Sequence, residues 1–167
     1  MVTSKRVVRA QSRSSRLITL VLSFFGFWLV FDPRFHRGWL AHRFLPHSNL
    51  VGATGLLLTF LGVAFAIWAR LQLGGNWSGT VTVKHDHTLI RQGPYAVVRH
   101  PIYSGFLLGT LGVALIVGEY RCLLGVLVLF VGFLLKSRME EHFMQEQFGG
   151  DYLTYQQQVK ALIPFVY

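Results

Sequence analysis

From residue 50 to residue 73 the chain runs for 24 residues with a single charged side chain, Arg70. At about 1.5 Å of helical rise per residue, such a segment crosses the roughly 30 Å hydrocarbon core of a bilayer with some tilt. That feature removes most folds, because backbone in lipid must pair all its polar groups internally, as a helix or a closed barrel. Three more apolar runs, at residues 17–31, 101–118 and 122–135, repeat the pattern. The first covers only 15 residues, about 22 Å of helix, so it needs Arg16 to snorkel or the helix to continue past Asp32. A secretory signal would be followed by small residues at a cleavage site, whereas "FWLVFDPRF" is bulky throughout. Only Glu119, Tyr120 and Arg121 separate the last two runs, which reads as a tight helical hairpin. The expected fold is an all-α integral membrane bundle of about four transmembrane helices, with residues 1–167 as one domain.

Charge sets the orientation. Sixteen Lys and Arg stand against seven Asp and Glu, a formal net charge of +9, in a chain that is 52% hydrophobic. Such an excess serves nucleic acid or loops facing an anionic leaflet. Here the cations are spread along interfacial segments and never gather on one soluble face, which argues against nucleic acid. With the N-terminus inside, Lys5, Arg6, Arg9, Arg13, Arg16, Arg70, Lys84, Arg91, Arg99, Lys136, Arg138 and Lys160 share one side, and Arg34, Arg37, Arg43 and Arg121 the other. Cations favour the cytoplasmic side, so both termini, the loop 74–100 and the tail 136–167, with its C-terminal helix, are expected there. The membrane would be a bacterial inner membrane or the endoplasmic reticulum. Cys122 is the lone cysteine, which excludes an internal disulfide and leaves it a packing residue.

The long polar loop leads into "RQGPYAVVRHPIYSG", residues 91–105, at the mouth of the third run. Proline is favoured at the first helical position and pushes the residue before it out of the helical region, so a helix is expected to begin at Pro101 with His100 just outside. The free N–H groups of that first turn would suit an anion, with Arg99 and His100 adjacent. The plainer reading is a Pro-started membrane helix with a snorkelling arginine. Gly93-Pro94-Tyr95 is a turn signature whose tyrosine either stacks on a planar ring or belongs to the interfacial aromatic belt. His85, Asp86 and His87 have no third ligand near in sequence, so no metal site is expected. In the tail, Lys136 and Glu140 are four residues apart and share a helix face, whereas Arg138 is turned about 200° away. They are either a pair addressing a site under the loop or a surface pair worth about 0.3 kcal/mol.

The ordered set "HTLIRQGPYAVVRHPIYSG" and "KSRMEEHFMQEQFGGDYLTYQQQVKALIPF" resembles the isoprenylcysteine carboxyl methyltransferase family over roughly residues 68–167. The family pattern H-x-L, G-x-Y, R-H-P-x-Y-x-G, E-E, F-G-x-x-Y-x-x-Y and I-P-F is present in order. The resemblance implies an integral membrane carboxyl O-methyltransferase that uses S-adenosylmethionine. Carried over by position, His87, Thr88, Leu89, Ile90, Gly93 and Tyr95 would line the cofactor from the loop. His100, Pro101, Ile102 and Tyr103 would hold it at the helix start, and Glu140 from the tail. Arg99 and Lys136 would orient the acceptor. Lys136 stands where the family's eukaryotic enzymes carry an arginine, so a point charge replaces a bidentate grip.

The implied acceptor is lipophilic and enters from the bilayer among membrane lipids, most naturally an isoprenylcysteine-like carboxylate. Two alternatives share parts of the pattern. Phospholipid N-methyltransferases share cofactor and setting. Sterol-type reductases share an R-H-x-x-Y segment but use NADPH, and they lack the proline after the histidine and the Glu140-Glu141 pair. A scaffold without activity would have no need of the pocket's polar residues.

Overall fold

The computed structural model describes residues 7–10, 13–32, 34, 38–74, 82–84 and 89–166. Five α-helices carry the fold: α1 Arg13–Phe31, α2 Asn49–Leu73, α3 Pro101–Val117, α4 Tyr120–Phe148 and α5 Gly150–Gln158. Ser14–Phe31, Asn49–Leu73 and Tyr120–Phe148 are long and apolar enough to cross a membrane; α3, the fourth expected span, is shorter at 17 residues. The chain is an integral membrane helical bundle. α1 reaches its length by starting at Arg13, ahead of the apolar run, and it stops at Phe31 before Asp32. To the helical frame the structure adds a small antiparallel ribbon, β1 Val7–Ala10 with β2 Thr82–Lys84.

Bundle order follows from where glycines let backbones meet. A β-carbon on Gly55 would lie 2.6 Å from the Gly112 carbonyl, and one on Gly105 2.6 Å from the Gly62 carbonyl and 2.8 Å from Ala66. α2 and α3 therefore run antiparallel at close approach, with the Thr59 hydroxyl donating to the Gly109 carbonyl at 3.2 Å. Without a hydrophobic drive between helices in lipid, such small-residue seams and interhelical hydrogen bonds do the holding. α1 and α4 pair in the same manner, Gly125 facing the Gly26 carbonyl and Gly132 facing Leu22. The phenyl rings of Phe106 and Phe133 join α3 to α4, and Phe27 packs edge-on against Phe106.

At the end of the bundle where α3 turns into α4, two arginines close the helix ends. Gly118, at φ 71°, makes the left-handed turn that ends α3. Arg43 donates to the Val117 carbonyl at 2.5 Å and to Leu45 at 3.0 Å. Arg121, 3% exposed, donates to the carbonyls of Leu29, Val30 and Asp32 and pairs with Glu119 at 2.5 Å. The orphan carbonyls at two helix C-termini thus find cations, which also suit the negative end of each helix. The loop 89–100, the end of α4 and α5 gather at the opposite end.

Candidate active site at the start of the third span

α3 starts at Pro101 with His100 at φ −122° and ψ 61°, outside the helical region. Backbone pairing to the segment after α5 fixes this start: the Arg99 and His100 N–H groups donate to the carbonyls of Lys160 and Ala161 at 2.8 and 3.0 Å. The Ser104 hydroxyl adds a bond to the Leu162 carbonyl at 2.6 Å. Pro101 is fully buried, and α3 at about 25 Å is shorter than the hydrocarbon core.

His100 is the hub. Its ring lies between two carboxylates, Nδ1 3.3 Å from Glu140 Oε2 and Nε2 3.1 Å from Glu141 Oε1. Burial works against a charged imidazole and is the largest influence on it, but hydrogen bonds and charge from Glu140 and then Glu141 outweigh burial and raise its pKa. In the protonated form both ring nitrogens donate, one to each carboxylate. Tyr103 on α3 stacks in parallel with the His100 ring just before the helix and with Phe133 on α4, at centroid distances of 5.7 and 5.0 Å. Its hydroxyl donates to Glu140 Oε1 at 2.6 Å. Lys136 Nζ lies 5.4 Å from the centre of the Tyr103 ring. Lys136, Glu140 and Tyr103 thus come together on one side of α4, while Arg138 is exposed on another.

Arg99 is placed differently from the acceptor-orienting role expected of it. Its guanidinium pairs with Glu141 through Nε at 2.8 Å and Nη2 at 2.6 Å, and Nη1 donates to the carbonyls of Gln156 and Val159. The side chain is only 10% exposed. The anion beside the helix start is therefore the protein's own Glu141. Gln156 extends this bracket by donating to Glu141 Oε2 at 3.0 Å and accepting from Gln145 at 2.8 Å. Gln145 on α4, Gln156 on α5 and residues 159–162 had no signal in the sequence, because polar side chains beyond the apolar run read as solvated.

Among the loop residues, Gly93 takes φ 60° at the start of the 3-10 turn Gly93–Ala96. Tyr95 is buried, its hydroxyl 3.5 Å from the Ala69 carbonyl of α2 and its own carbonyl accepting from the Tyr155 hydroxyl at 2.5 Å. Burial keeps the phenols of Tyr95 and Tyr155 protonated, well above their ordinary value of 10. Leu89, Ile90 and Ile102 are half-buried. His87 and Thr88 lie outside the described residues, as do His85 and Asp86.

A profile of the phospholipid methyltransferase family matches residues 50–151. Protein-S-isoprenylcysteine O-methyltransferase B of Arabidopsis thaliana is 27% identical over 141 residues, covering 83% of this chain and 66% of its own. The Schizosaccharomyces pombe protein-S-isoprenylcysteine O-methyltransferase is 37% identical over 101 residues, 59% of this chain and 43% of its own. In space, the chain is similar to the eukaryotic intramembrane Ras methyltransferase, isoprenylcysteine carboxyl methyltransferase. That match has a TM-score of 0.60 and 27% identity, over 93% of this chain and 54% of that one. The chain thus spans only part of the length of these relatives. The ordered motifs, the membrane bundle and these matches agree: the chain belongs to the phospholipid methyltransferase family, and it is similar to isoprenylcysteine carboxyl methyltransferases.

Proposed function

We propose that the chain transfers a methyl group from S-adenosylmethionine to the carboxylate of a lipophilic, isoprenylcysteine-like acceptor. The observation that carries this reading is a cation, Lys136, and a carboxylate, Glu140, converging on Tyr103 at the boundary of an apolar bundle. S-adenosylmethionine, when bound, supplies an electrophilic methyl group on a sulfonium. The residues present fit it. Glu140 is engaged by Tyr103 and His100 yet remains 22% exposed, so it keeps lone pairs for an ammonium or ribose hydroxyl. Pro101 and Ile102 at the helix start and Leu89, Ile90 and Gly93 of the loop, preceded by His87 and Thr88, complete the lining, with Tyr95 behind them.

The chain's own work is alignment. A carboxylate acceptor is ionised at neutral pH, so in-line displacement needs no general base, and holding the reactants in line supplies most of the rate. Lys136 orients the acceptor's anionic end as a point charge. Arg99, held by Glu141 and Gln156, acts as a positioning residue for the helix start. An amine acceptor would have to lose a proton, and both ring nitrogens of His100 are already turned to carboxylates of the protein's own, Glu140 and Glu141. That favours oxygen over nitrogen as the nucleophile.

The same reading makes residues 1–167 one methyltransferase domain with loop, tail and both termini in the cytoplasm. The aqueous cofactor would reach the loop side and the acceptor the bilayer side. Calorimetric titration of the detergent-purified protein with S-adenosylhomocysteine and, separately, NADPH tests the cofactor assignment. Saturable binding of the first alone is expected; binding of NADPH alone would overturn it.

A further inference from the structure

Residues 163–166 form a tight turn that the proposed chemistry does not use. The Val166 N–H donates to the Ile163 carbonyl at 3.2 Å, with Pro164 second in the turn and Phe165 third at φ 65°. A turn with proline second and positive φ third prefers glycine or asparagine there. A phenylalanine meets the full β-carbon penalty of the left-handed region. The protein gives its ring almost no cover in return: Phe165 is 94% exposed and Val166 72%. Strain held at a side chain with so little intramolecular contact points to a partner outside the chain.

Position names that partner. Ser104, which bonds the Leu162 carbonyl, lies within the first turns of α3, and α3 at 17 residues is shorter than the hydrocarbon is thick. Residue 162 therefore lies beside the mouth of this apolar helix, and the exposed turn follows immediately. Lys160 is exposed beside it, with an apolar stem that can lie along the boundary and an ammonium that can reach headgroups.

We infer that residues 163–166 are an interfacial foot: Phe165 and Val166 insert at the headgroup–acyl boundary of the bilayer that holds the bundle, and Lys160 meets anionic headgroups. Aromatic side chains favour that boundary, and apolar area placed there strengthens membrane contact. Residues 159–162, just before the foot, accept from Arg99, His100 and Ser104, so the foot anchors the segment that fixes the start of α3.

Nitroxide depth measurement in vesicles tests it. In a Cys122→Ala background, a label on Val166→Cys leaves Phe165 in place, and labels on Asp151→Cys and Leu57→Cys report the aqueous and lipid-facing extremes. In phosphatidylcholine vesicles containing phosphatidylglycerol, the label at 166 should show several-fold lower collision with a water-soluble nickel chelate than the label at 151, and higher collision with oxygen. Adding Phe165→Gly, which suits the positive φ, should move it toward the label at 151. Nickel access at 166 equal to that at 151, or no response to Phe165→Gly, would overturn the inference.

Discussion

Each carboxylate of the Glu140-Glu141 pair has its own work. Glu141 is saturated by Arg99, His100 and Gln156, whereas Glu140 is engaged by Tyr103 and His100 and keeps an open side. Glu140→Ala should therefore weaken S-adenosylhomocysteine binding by about 1.5–3 kcal/mol, the scale of a hydrogen bond to a charged group, read by calorimetry. His100 ties pH to stability. Its folded pKa is raised above the ordinary 6.5, so its contribution is present in full below that value and is lost as pH rises through the folded value. Thermal midpoints of the solubilised protein should fall as pH is raised through that range, and His100→Gln should flatten the decline. Pro101 as a helix start and the shared face of Lys136 and Glu140 were legible in the sequence, because both depend on local geometry. The partners of Arg99, Arg43 and Arg121 were not, since each is bound by groups distant in the chain.

Among the elements, the α2–α3 seam decides whether the site holds its shape, because α3 carries His100 and Tyr103 at its mouth. Gly62 and Gly52 belong to the same helix but face different surroundings. A β-carbon on Gly62 would meet the Gly105 carbonyl at 2.6 Å and the Gly109 Cα at 2.8 Å, both backbone, while one on Gly52 meets nothing within 4 Å. Gly62→Ala should cost about 1–3 kcal/mol by overpacking, and Gly52→Ala should be neutral or stabilising by up to about 1 kcal/mol. Thermal unfolding in detergent separates the two. The apolar runs gave four helices and the tight hairpin between the last two, whose connector falls at Gly118 and Glu119 and not at residues 119–121, because span length and turn residues are local signals. The pairing of residues 159–162 beside the α3 start had no such signal: it is a few backbone bonds without a hydrophobic period.

At the scale of the whole molecule, the two ends of the bundle divide the labour. One end is closed by the buried Arg121 and the half-buried Arg43 on helix carbonyls; the other keeps its charges around His100, with the packed rings of Phe106 and Phe133 nearby. That asymmetry accounts for two of the four cations the charge pattern set apart from the rest, since Arg43 and Arg121 serve as caps. Under the proposed function, the end around His100 is where a water-borne methyl donor and a lipid-borne carboxylate would meet. The most direct measurement is transfer of labelled methyl from S-adenosylmethionine by the full chain in liposomes, with S-farnesylated N-acetylcysteine and phosphatidylethanolamine offered separately. The account predicts a base-labile methyl ester on the farnesylcysteine and no methylated amine. Methylation of phosphatidylethanolamine alone would contradict it.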